Sequence, residues 1–377
     1  MKIVYCIAGT YRDGGMERVL ALKANWLAEH GYEVTVVTTD QLGRPSFFEM
    51  DSGIATVDLA IGYEDNNGGS FADKFIHYPG KKRKHRRRLG RVLDEIKPDV
   101  CVSMFCGEAS FLPRLNDGSK KVAEVHFSRF KRLQYGRRGL FGLADRLLTW
   151  MDGRAAARYD RFVVLTDEDS VNWKISRKVD VIANPLSFIP ESQAALDAPV
   201  ALAVGRFSEQ KAFDRMIEAW RDVAAKHPGW QLKIVGDGEL KPALLKQIQN
   251  YDLQSNVSLI EPTKDILPLY LDASMYLMTS RYEGLPMVLI EAQSCGLPIV
   301  SMACKCGPRD IVSDGVNGYL VKDGDISGMA DRICRLIEDE RLRKSMGHKA
   351  SEASHRFDTE KVMRRWDRLF KETVNEK

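Results

Sequence analysis

Residues 199–205, PVALAVG, begin the clearest alternation of strands and helices in this 377-residue chain. Further strand-like runs follow at QLKIVG, NVSLIE, MYLMTS, PIVSMA and GYLV, and segments of helical periodicity separate them. The first half alternates in the same way, from KIVYCIAG through EVTVVTT, DVCVSMF, KVAEVHF and DRFVVLT. This pattern is typical of parallel sheets covered on both faces by crossover helices. It predicts an α/β chain with two Rossmann-like, doubly wound domains that face a cleft.

The segment DVIANPLSFIP, residues 180–190, interrupts the alternation with two prolines. It predicts a domain boundary, with a first domain over residues 1–187 and a second over residues 188–355. The last segment, residues 356–377, carries Val362, Trp366, Leu369 and Phe370 at helical spacing. We predict a helix that docks this apolar stripe on a domain surface.

Composition indicates a globular protein, because 44% of the residues are hydrophobic and 29% are charged. No window approaches the roughly 18 apolar residues of a membrane span. We therefore expect a cytoplasmic protein, and peripheral contact with the inner face of the plasma membrane is compatible with this expectation. The seven cysteines show no metal-ligand spacing, so we interpret them as reduced and mostly buried thiols.

The segment EGLPMVLIE places two carboxylates, Glu283 and Glu291, eight positions apart in a helix-patterned stretch. On one helix that spacing is about 12 Å, which matches the span from ribose to hexose in a nucleotide sugar. Glu291 lies among apolar residues, where an unpaired carboxylate is costly, and ribose hydroxyls are suitable partners. For Glu283 alone, the simpler interpretation is a helix cap.

Two cations are candidates for the diphosphate between the sugar rings. Arg206 follows the strand PVALAVG, and Lys211 lies five residues later at the start of the next helix. Ligands of open α/β sheets bind beyond the carboxyl ends of strands, so this position favours phosphate binding over two solvated surface charges.

In the first half, Gly14 and Gly15 lie between a strand and a helix, where backbone amides can approach an anion. The same glycines could form only a tight turn, and the spacing is not that of a dinucleotide fingerprint. His126 ends the strand-like run KVAEVHF and could face the cleft. A lone histidine is more often a structural hydrogen-bonding group.

Taken together, GGMER, His126, GRFSEQK, IVGDGEL and SRYEGLPMVLIEAQSCGLPIV resemble the retaining glycosyltransferases of family 4, which have the GT-B fold. The similarity spans nearly the whole chain and is most specific in residues 200–321. It is greatest to bacterial enzymes that extend lipid-linked oligosaccharide, lipopolysaccharide or capsule precursors. Ala212 is a departure, because a glycine commonly follows the lysine in that family.

The resemblance implies a role for each candidate residue. Glu283 would contact the donor hexose, and Glu291 the ribose. Arg206 and Lys211 would hold the diphosphate, with the amide of Gly15 close to it and His126 beside the donor sugar. We thus predict catalytic roles for His126, Glu283, Arg206 and Lys211. The predicted donor site consists of Gly14, Gly15, Arg206, Lys211, Gly236, Pro262, Glu283, Gly284, Leu285 and Glu291.

The resemblance also implies the reaction: a hexose or N-acetylhexosamine moves from a nucleotide sugar to a hydroxyl of a growing, lipid-linked surface glycan. The anomeric configuration would be retained, no metal or other cofactor would be needed, and a UDP-sugar is the expected donor. The family further implies that the last helix, over residues 357–377, crosses back onto the first domain. Asp323 and Asp325 form a DxD string after the strand GYLV, which we do not interpret as a metal site.

The first half is also basic, with 30 Lys and Arg against 24 Asp and Glu in residues 1–190. Eight basic residues fall in the stretch KKRKHRRRLGR, which we call the basic run: Lys81, Lys82, Arg83, Lys84, Arg86, Arg87, Arg88 and Arg91. It contains no aromatic residue for stacking on bases, which argues against nucleic acid. We predict contact with an anionic membrane surface, and the alternative is a solvated helix face.

Other functions stay open on the sequence alone. A GDP-mannose-dependent mannosyltransferase, or a GT-B epimerase or phosphorylase, would share the same fold. A non-catalytic protein that binds nucleic acid or a membrane surface is an alternative of a different class. A nicotinamide-dependent oxidoreductase should carry the GxGxxG fingerprint, which is not properly placed here.

Overall fold

The computed structural model describes residues 1–63, 71–133, 137–175, 179–263 and 265–376, with the backbone alone at residues 71–76 and 140. The chain divides into two compact units. Unit 1 comprises Met1–Ser187 and Thr359–Lys377, and unit 2 comprises Phe188–Asp358. Among the described residues, no helix combines the length and the apolar character needed to cross a bilayer.

Unit 1 contains a seven-stranded parallel sheet with strand order β3-β2-β1-β4-β5-β6-β7. Its strands are β1 (Lys2–Ile7), β2 (Glu33–Thr38), β3 (Ala55–Asp58), β4 (Val100–Ser103), β5 (Lys120–Glu124), β6 (Arg161–Val164) and β7 (Val179–Val181). The helices between them are α1 (Gly15–Glu29), α2 (Phe71–Ile96), α3 (Gly139–Ala156) and α4 (Asp167–Trp173). Strand order reverses at the β1–β4 pair, which is the topological switch point of the sheet.

Unit 2 contains a six-stranded parallel sheet with strand order β10-β9-β8-β11-β12-β13. Its strands are β8 (Val200–Val204), β9 (Gln231–Val235), β10 (Val257–Ile260), β11 (Met275–Met278), β12 (Ile299–Met302) and β13 (Gly318–Val321). Its helices are α5 (Phe213–Lys226), α6 (Lys241–Asn250), α7 (Leu267–Leu271), α8 (Met287–Ser294), α9 (Pro308–Ile311), α10 (Ile326–Glu338) and α11 (Glu340–Ser354). Here the switch point is the β8–β11 pair. The two parallel sheets with interleaved helices confirm the predicted α/β fold class.

The central strand β1 is buried on both faces because its side chains alternate between two apolar clusters. Ile3, Tyr5 and Ile7 belong to the cluster that contains α1, and Val4 and Cys6 belong to the cluster beneath α2. This explains why β1 reads as an uninterrupted apolar run in the sequence.

The last helix, α12 (Thr359–Asn375), packs on unit 1. Its buried residues join the cluster that contains α1: Val362, Met363, Trp366, Leu369 and Phe370. At the rim, the Trp26 indole donates to Glu360 Oε2 at 2.8 Å and the Tyr32 hydroxyl donates to Asp367. The apolar stripe predicted from the sequence thus completes the α1 side of the first sheet.

A buried ion pair lies inside this apolar cluster. Lys23 of α1 is fully buried and donates from Nζ to Oε2 of Glu124 at 2.5 Å, and Glu124, at the end of β5, is also buried. The Lys23 ammonium lies 3.4 Å from the centroid of the Trp366 ring on α12. The pair therefore connects a helix, a central strand and the last helix of the chain.

The titration of the pair follows from burial and proximity. Burial lowers the pKa of Lys23 to about 8, against the opposing effect of Glu124. Burial alone would raise the pKa of Glu124, but the Lys23 ammonium and the His126 ring outweigh it and lower that pKa to about 2. Because the folded-state pKa of Glu124 is depressed, its stabilising contribution is complete above about pH 4.5 and is lost as the pH falls toward 2.

We predict that Lys23→Met destabilises unit 1 by about 3–5 kcal/mol at neutral pH, because it leaves Glu124 buried without its counter-ion. The deficit should shrink steadily as the pH falls from neutral toward 2, because burial without Lys23 raises the pKa of Glu124 in the variant, whereas the wild-type pair keeps its charge until the pH nears 2. The double variant Lys23→Met, Glu124→Met should regain most of the loss, since it removes both charges. Hydrogen exchange of peptides from β1 and β5, read by mass spectrometry, measures this stability.

Lys2→Met is the matched control. Lys2 also pairs with a glutamate, Glu33 at 3.5 Å, but both side chains are largely exposed, so its loss should cost less than about 1 kcal/mol. A Lys23→Met protein as stable as this control would show that the buried pair contributes nothing.

Candidate functional site

In unit 1 the candidate residues follow β1 and β5, which are separated in the sheet only by β4. Because the strands are parallel, the loops that leave their carboxyl ends lie at the same edge. Gly14 and Gly15 begin α1, and His126 lies two residues beyond the end of β5. Burial raises the pKa of Glu17 in the first turn of α1, and the His126 ring is among the nearby charges that oppose this shift. The start of α1 and His126 are therefore neighbours.

The two glycines have different surroundings. Gly14 is the N-cap of α1 with extended backbone, and a Cβ added there would meet the flexible Glu17 carboxylate at 2.2 Å. At Gly15 an added Cβ would meet no described atom within 4 Å, and its backbone is not left-handed. Packing among the described residues therefore does not require a glycine at position 15. A ligand that approaches the backbone closely would require one.

The side chain of His126 is 7% exposed, and its ring lies against the ion pair described above. Its Nε2 lies 3.1 Å from Oε1 of Glu124, whose other oxygen accepts from Lys23. Among the described residues, neither Nδ1 nor Nε2 of His126 has a hydrogen-bond partner, so the Nε2 contact with Glu124 is one of proximity. A buried ring nitrogen without a partner is costly unless a ligand or water serves it. Lys23 and Glu124 therefore form a support for His126 that reaches into the core.

In unit 2 the candidates follow four adjacent strands. Arg206 comes after β8, Gly236 after β9, Pro262 after β10 and Glu283 after β11. These strands are neighbours in the order β10-β9-β8-β11, so all four loops leave the same edge around the switch point. Arg206 and Pro262 are exposed there, whereas Glu283 is largely buried.

Lys211 and Glu283 form an ion pair at this edge. Lys211 Nζ donates to Glu283 Oε1 at 2.8 Å, and the side chains are 18% and 8% exposed. An ammonium has three donors, so one bond to Glu283 leaves two for another anion. The pair holds a cation and a carboxylate side by side, which suits a ligand with both phosphate and hydroxyl groups.

The residue after Lys211 shows a local strain. Ala212 caps α5 in the left-handed conformation, with φ 50° and ψ 47°. This conformation costs an alanine roughly 1 kcal/mol more than a glycine, which is consistent with the glycine that the family resemblance implies at this position. Thr279, directly after β11, fixes the turn by donating its hydroxyl to the carbonyls of Lys211 at 3.1 Å and Ala212 at 2.9 Å.

The predicted helix from Glu283 to Glu291 is wrong at its start. Helix α8 begins at Met287, and Glu283 lies in the preceding loop, where Glu283 N donates to Lys305 O at 3.4 Å. The reason is Pro286, the extended N-cap, which disfavours helical backbone in the residue before it. The helical rise therefore does not set the spacing of the two carboxylates, and Glu283 is not a helix cap.

The loop that carries Glu283, Gly284 and Leu285 is held by a close contact. Gly307 has φ 94°, and a Cβ there would lie 2.4 Å from Pro286 Cδ and 3.0 Å from Gly284 O. The left-handed backbone and the lack of space both require a glycine at position 307. Leu285 is buried beneath the loop. The role of Gly307 was not predicted from the sequence, although its place before a proline is a turn signal.

Glu291 is buried on α8, and its Oε2 accepts a hydrogen bond from the Tyr270 hydroxyl at 2.9 Å. Burial raises the pKa of Tyr270, and the Glu291 carboxylate raises it further. Glu291 thus has a hydrogen-bond partner within the protein, whereas the sequence suggested ribose hydroxyls as its partners. A carboxylate can accept several hydrogen bonds, so the Tyr270 bond does not exhaust Glu291. No motif marked Tyr270, because it lies in the short helix α7.

Gly236 has a packing role of its own. Its N–H donates to Ile260 O at 2.9 Å, and an added Cβ would lie 1.9 Å from Gly205 O. A glycine is therefore required where β8 and β9 end, whatever binds there.

The described residues contain no group of three or more His, Cys, Asp or Glu placed to hold a metal. The DxD residues have structural partners: Asp323 Oδ1 accepts from Arg215 at 2.8 Å, and Asp325 caps α10 by accepting from Gly328 N at 2.9 Å. None of the seven cysteines forms a disulfide among the described residues, and six of them are buried.

The basic run lies on α2 and is divided between two surroundings. Lys81, Lys84 and Arg88, one turn apart, donate to backbone carbonyls of residues 59–62 after β3. His85 is buried beside Tyr63 and Phe111. The exposed members of the run are Arg83, Arg86, Arg87 and Arg91. Three of the eight predicted membrane contacts are thus also engaged within unit 1.

Comparison with known proteins extends these observations over nearly the whole chain. The family model "Glycosyl transferases group 1" matches residues 187–353, and the "Glycosyl transferase 4-like domain" model matches residues 14–185. An amylovoran biosynthesis glycosyltransferase, AmsD, of Erwinia amylovora is 30% identical, and the match covers 97% of this chain and 98% of AmsD. An uncharacterized glycosyltransferase of Haemophilus influenzae is 29% identical over 97% of this chain and 98% of its own length.

Among solved structures, a TarM mutant of S. aureus in complex with Fondaparinux, alpha-GlcNAc-glycerol and UDP has a TM-score of 0.76. It is 16% identical, and the match covers 98% of this chain and 99% of TarM, so it shows a shared fold. The resemblance inferred from the sequence is confirmed for family and fold. The chain belongs to the group 1 glycosyl transferases and is a GT-B glycosyltransferase of glycan biosynthesis.

Proposed function

We propose that this glycosyltransferase moves a hexose or N-acetylhexosamine from a UDP-sugar to a hydroxyl of a growing, lipid-linked surface glycan, with retention of configuration and without a metal ion. The observation that carries the proposal is the Lys211–Glu283 ion pair at the same sheet edge as exposed Arg206, around the switch point of unit 2. A nucleotide sugar presents both kinds of group that such a set binds: phosphate oxygens for the cations and hydroxyls for the carboxylate.

In this proposal the cations neutralise the leaving diphosphate. Arg206 offers a planar set of donors for two phosphate oxygens, and Lys211 offers the two protons that Glu283 does not use. Charge that develops on the leaving oxygen is stabilised by fixed positive groups, a role that a divalent ion fills in other transferases. Glu283, held in place by Lys211, receives the hydroxyls of the transferred sugar.

The nucleoside end of the donor is assigned to the α8 side of the same edge. Glu291 accepts ribose hydroxyls in addition to the Tyr270 hydroxyl. Backbone groups of Pro262, Gly284 and Leu285 lie near the base and the donor sugar, and Gly236 lies at the same edge where β9 ends. UDP as the nucleotide is supported by the TarM complex, whose structure contains UDP.

In unit 1, the Gly15 amide approaches the diphosphate and His126 contacts the donor sugar. These assignments are supported by the lack of any described atom within 4 Å of a Cβ at Gly15, and by the two ring nitrogens of His126, which have no hydrogen-bond partner among the described residues. Retention would follow if the acceptor hydroxyl attacks the anomeric carbon from the face that the diphosphate leaves. The departing phosphate oxygen then takes the proton of that hydroxyl, so no separate catalytic base is needed.

The acceptor is assigned to unit 1, where the basic run would face an anionic membrane that carries the lipid-linked glycan. Arg83, Arg86, Arg87 and Arg91 are its exposed residues, and each adds about 1 kcal/mol of attraction near an anionic surface. A surface-glycan acceptor is also supported by AmsD, which acts in amylovoran biosynthesis.

We predict that Arg206→Ala and Lys211→Ala each weaken UDP binding about tenfold to a hundredfold, because each removes a charged hydrogen bond to the diphosphate. Isothermal titration with UDP measures the change. Lys233→Ala is the matched control, because Lys233 pairs with a carboxylate, Asp272 at 3.5 Å, on the same sheet but outside this edge. Wild-type affinity in both site variants, or tighter binding of GDP than of UDP, would contradict the assignment.

Gly15→Ala should weaken binding of the UDP-sugar by at least about tenfold while leaving the melting temperature unchanged or slightly higher. The added methyl meets no described atom, and alanine is favoured over glycine in a helix by roughly 0.5–1 kcal/mol. Gly80→Ala is the control, because Gly80 lies in α2 with no described atom within 4 Å of an added Cβ. A Gly15→Ala protein that binds the donor normally would remove Gly15 from the site.

A further inference from the structure

Helix α3 turns polar side chains toward the body of unit 1 and apolar side chains toward solvent. Asp145 and Thr149, one turn apart, are each only 5% exposed. The opposite side carries four large apolar residues that are between 46% and 65% exposed: Leu143, Leu147, Trp150 and Met151. Phe141 and Leu148 are also exposed but lie nearer the polar side. A helix on the surface of a globular protein ordinarily has the reverse arrangement.

The polar side chains on the inner side of α3 have hydrogen-bond or ion-pair partners. Arg137 donates from Nε and Nη2 to the two carboxylate oxygens of Asp145, both at 2.9 Å, and Arg132 pairs with Asp152. Thr149 donates its hydroxyl to Asp145 O at 2.8 Å. The Thr149 bond lies within α3, whereas the two arginine–aspartate pairs tie the helix to the segment before it and so hold its apolar side outward.

The charges left on the outer side are positive. The only acidic residues of α3, Asp145 and Asp152, are the two engaged in these ion pairs. Arg138, Arg146 and Arg154 are exposed, and the Arg154 guanidinium lies 4.8 Å from the centroid of the Trp150 ring. Large apolar residues with arginine and tryptophan at their border are typical of helices that lie in a membrane interface.

The basic run is close to this helix. Tyr78 lies on α2 less than one turn before Lys81, and the charges of Arg132 and Asp152 both act on its hydroxyl. Because Asp152 belongs to α3, the start of the run and the second half of α3 lie in the same part of unit 1. The exposed arginines of α2 and α3 therefore add to one positive field.

We propose that α3 lies in the interface of an anionic bilayer, with its apolar side in the upper acyl region and Arg138, Arg146 and Arg154 on lipid phosphates. The inference rests on the proposed lipid-linked acceptor and identifies the surface that brings unit 1 to it. The basic run supplies long-range attraction, and α3 supplies the apolar contact that charge alone lacks.

A second copy of the chain fits this side less well. A symmetric pair of α3 helices would bring Arg146 and Arg154 near the same residues of the other copy, and α3 offers no unpaired carboxylate to receive them. Lipid phosphates provide the missing negative charge.

The test is sedimentation of the full chain with vesicles of phosphatidylcholine, with and without phosphatidylglycerol. The wild type should bind the anionic vesicles, and Leu147→Ser with Trp150→Ser should lower the partition coefficient at least about tenfold, because two large apolar side chains no longer enter the bilayer. Leu245→Ser, at an exposed leucine of α6 in unit 2, is the matched control and should bind like the wild type. Acyl-brominated lipid should quench Trp150 fluorescence in the wild type, and Trp150→Phe should lose this signal.

Anionic vesicle binding that survives the double substitution would overturn the proposal, as would equal binding to vesicles without phosphatidylglycerol. Loss of self-association in the variant, with vesicle binding intact, would assign the surface to a second copy instead. Titration with UDP on the same samples separates this proposal from the proposed function. The α3 variant should bind UDP normally, whereas a wild type that binds vesicles but no UDP would refute the donor assignment and leave the helix placement standing.

Discussion

The parallel order of the strands is the constraint on which the candidate site depends. In each sheet every strand delivers its following residue to the same edge, and strand order reverses once, between β1 and β4 in unit 1 and between β8 and β11 in unit 2. Most of the candidate site residues lie in the loops that follow these strands or the strands next to them. Arg206, Gly236, Pro262 and Glu283 are far apart in sequence, and sheet topology alone brings them together.

Charged groups at these edges are held by partners in the protein. Glu283 is fixed by Lys211, and Glu291 by Tyr270. His126 is supported by Glu124, whose own charge is balanced by Lys23 deep in the core beside Trp366. A buried ion pair is seldom a net source of stability, so its presence beneath His126 is better explained by orientation of that ring. The last helix thereby contributes to a site residue that lies more than 200 positions earlier in the chain.

The sequence predicted the fold class and the central strands, because buried parallel strands are apolar on both faces and stand out as runs. It missed β3 and β7, the two edge strands of the sheet in unit 1, whose short segments are only partly buried. It also carried the α8 helix back to Glu283, because periodicity does not register the effect of Pro286 on the preceding residue. Tyr270, Thr279 and Gly307 support the site through contacts between distant segments, which local pattern cannot reveal. The inverted polarity of α3 likewise becomes visible only when burial is known.

A crystal structure of the protein with a bound UDP-sugar would show directly which charged residue contacts which part of the donor. The diphosphate should lie on Arg206 and Lys211, the ribose hydroxyls on Glu291, and the sugar hydroxyls on Glu283, which keeps its bond to Lys211. A diphosphate bound away from Arg206 and Lys211, with the Lys211–Glu283 and Tyr270–Glu291 pairs undisturbed, would contradict the assignment of this edge as the donor site.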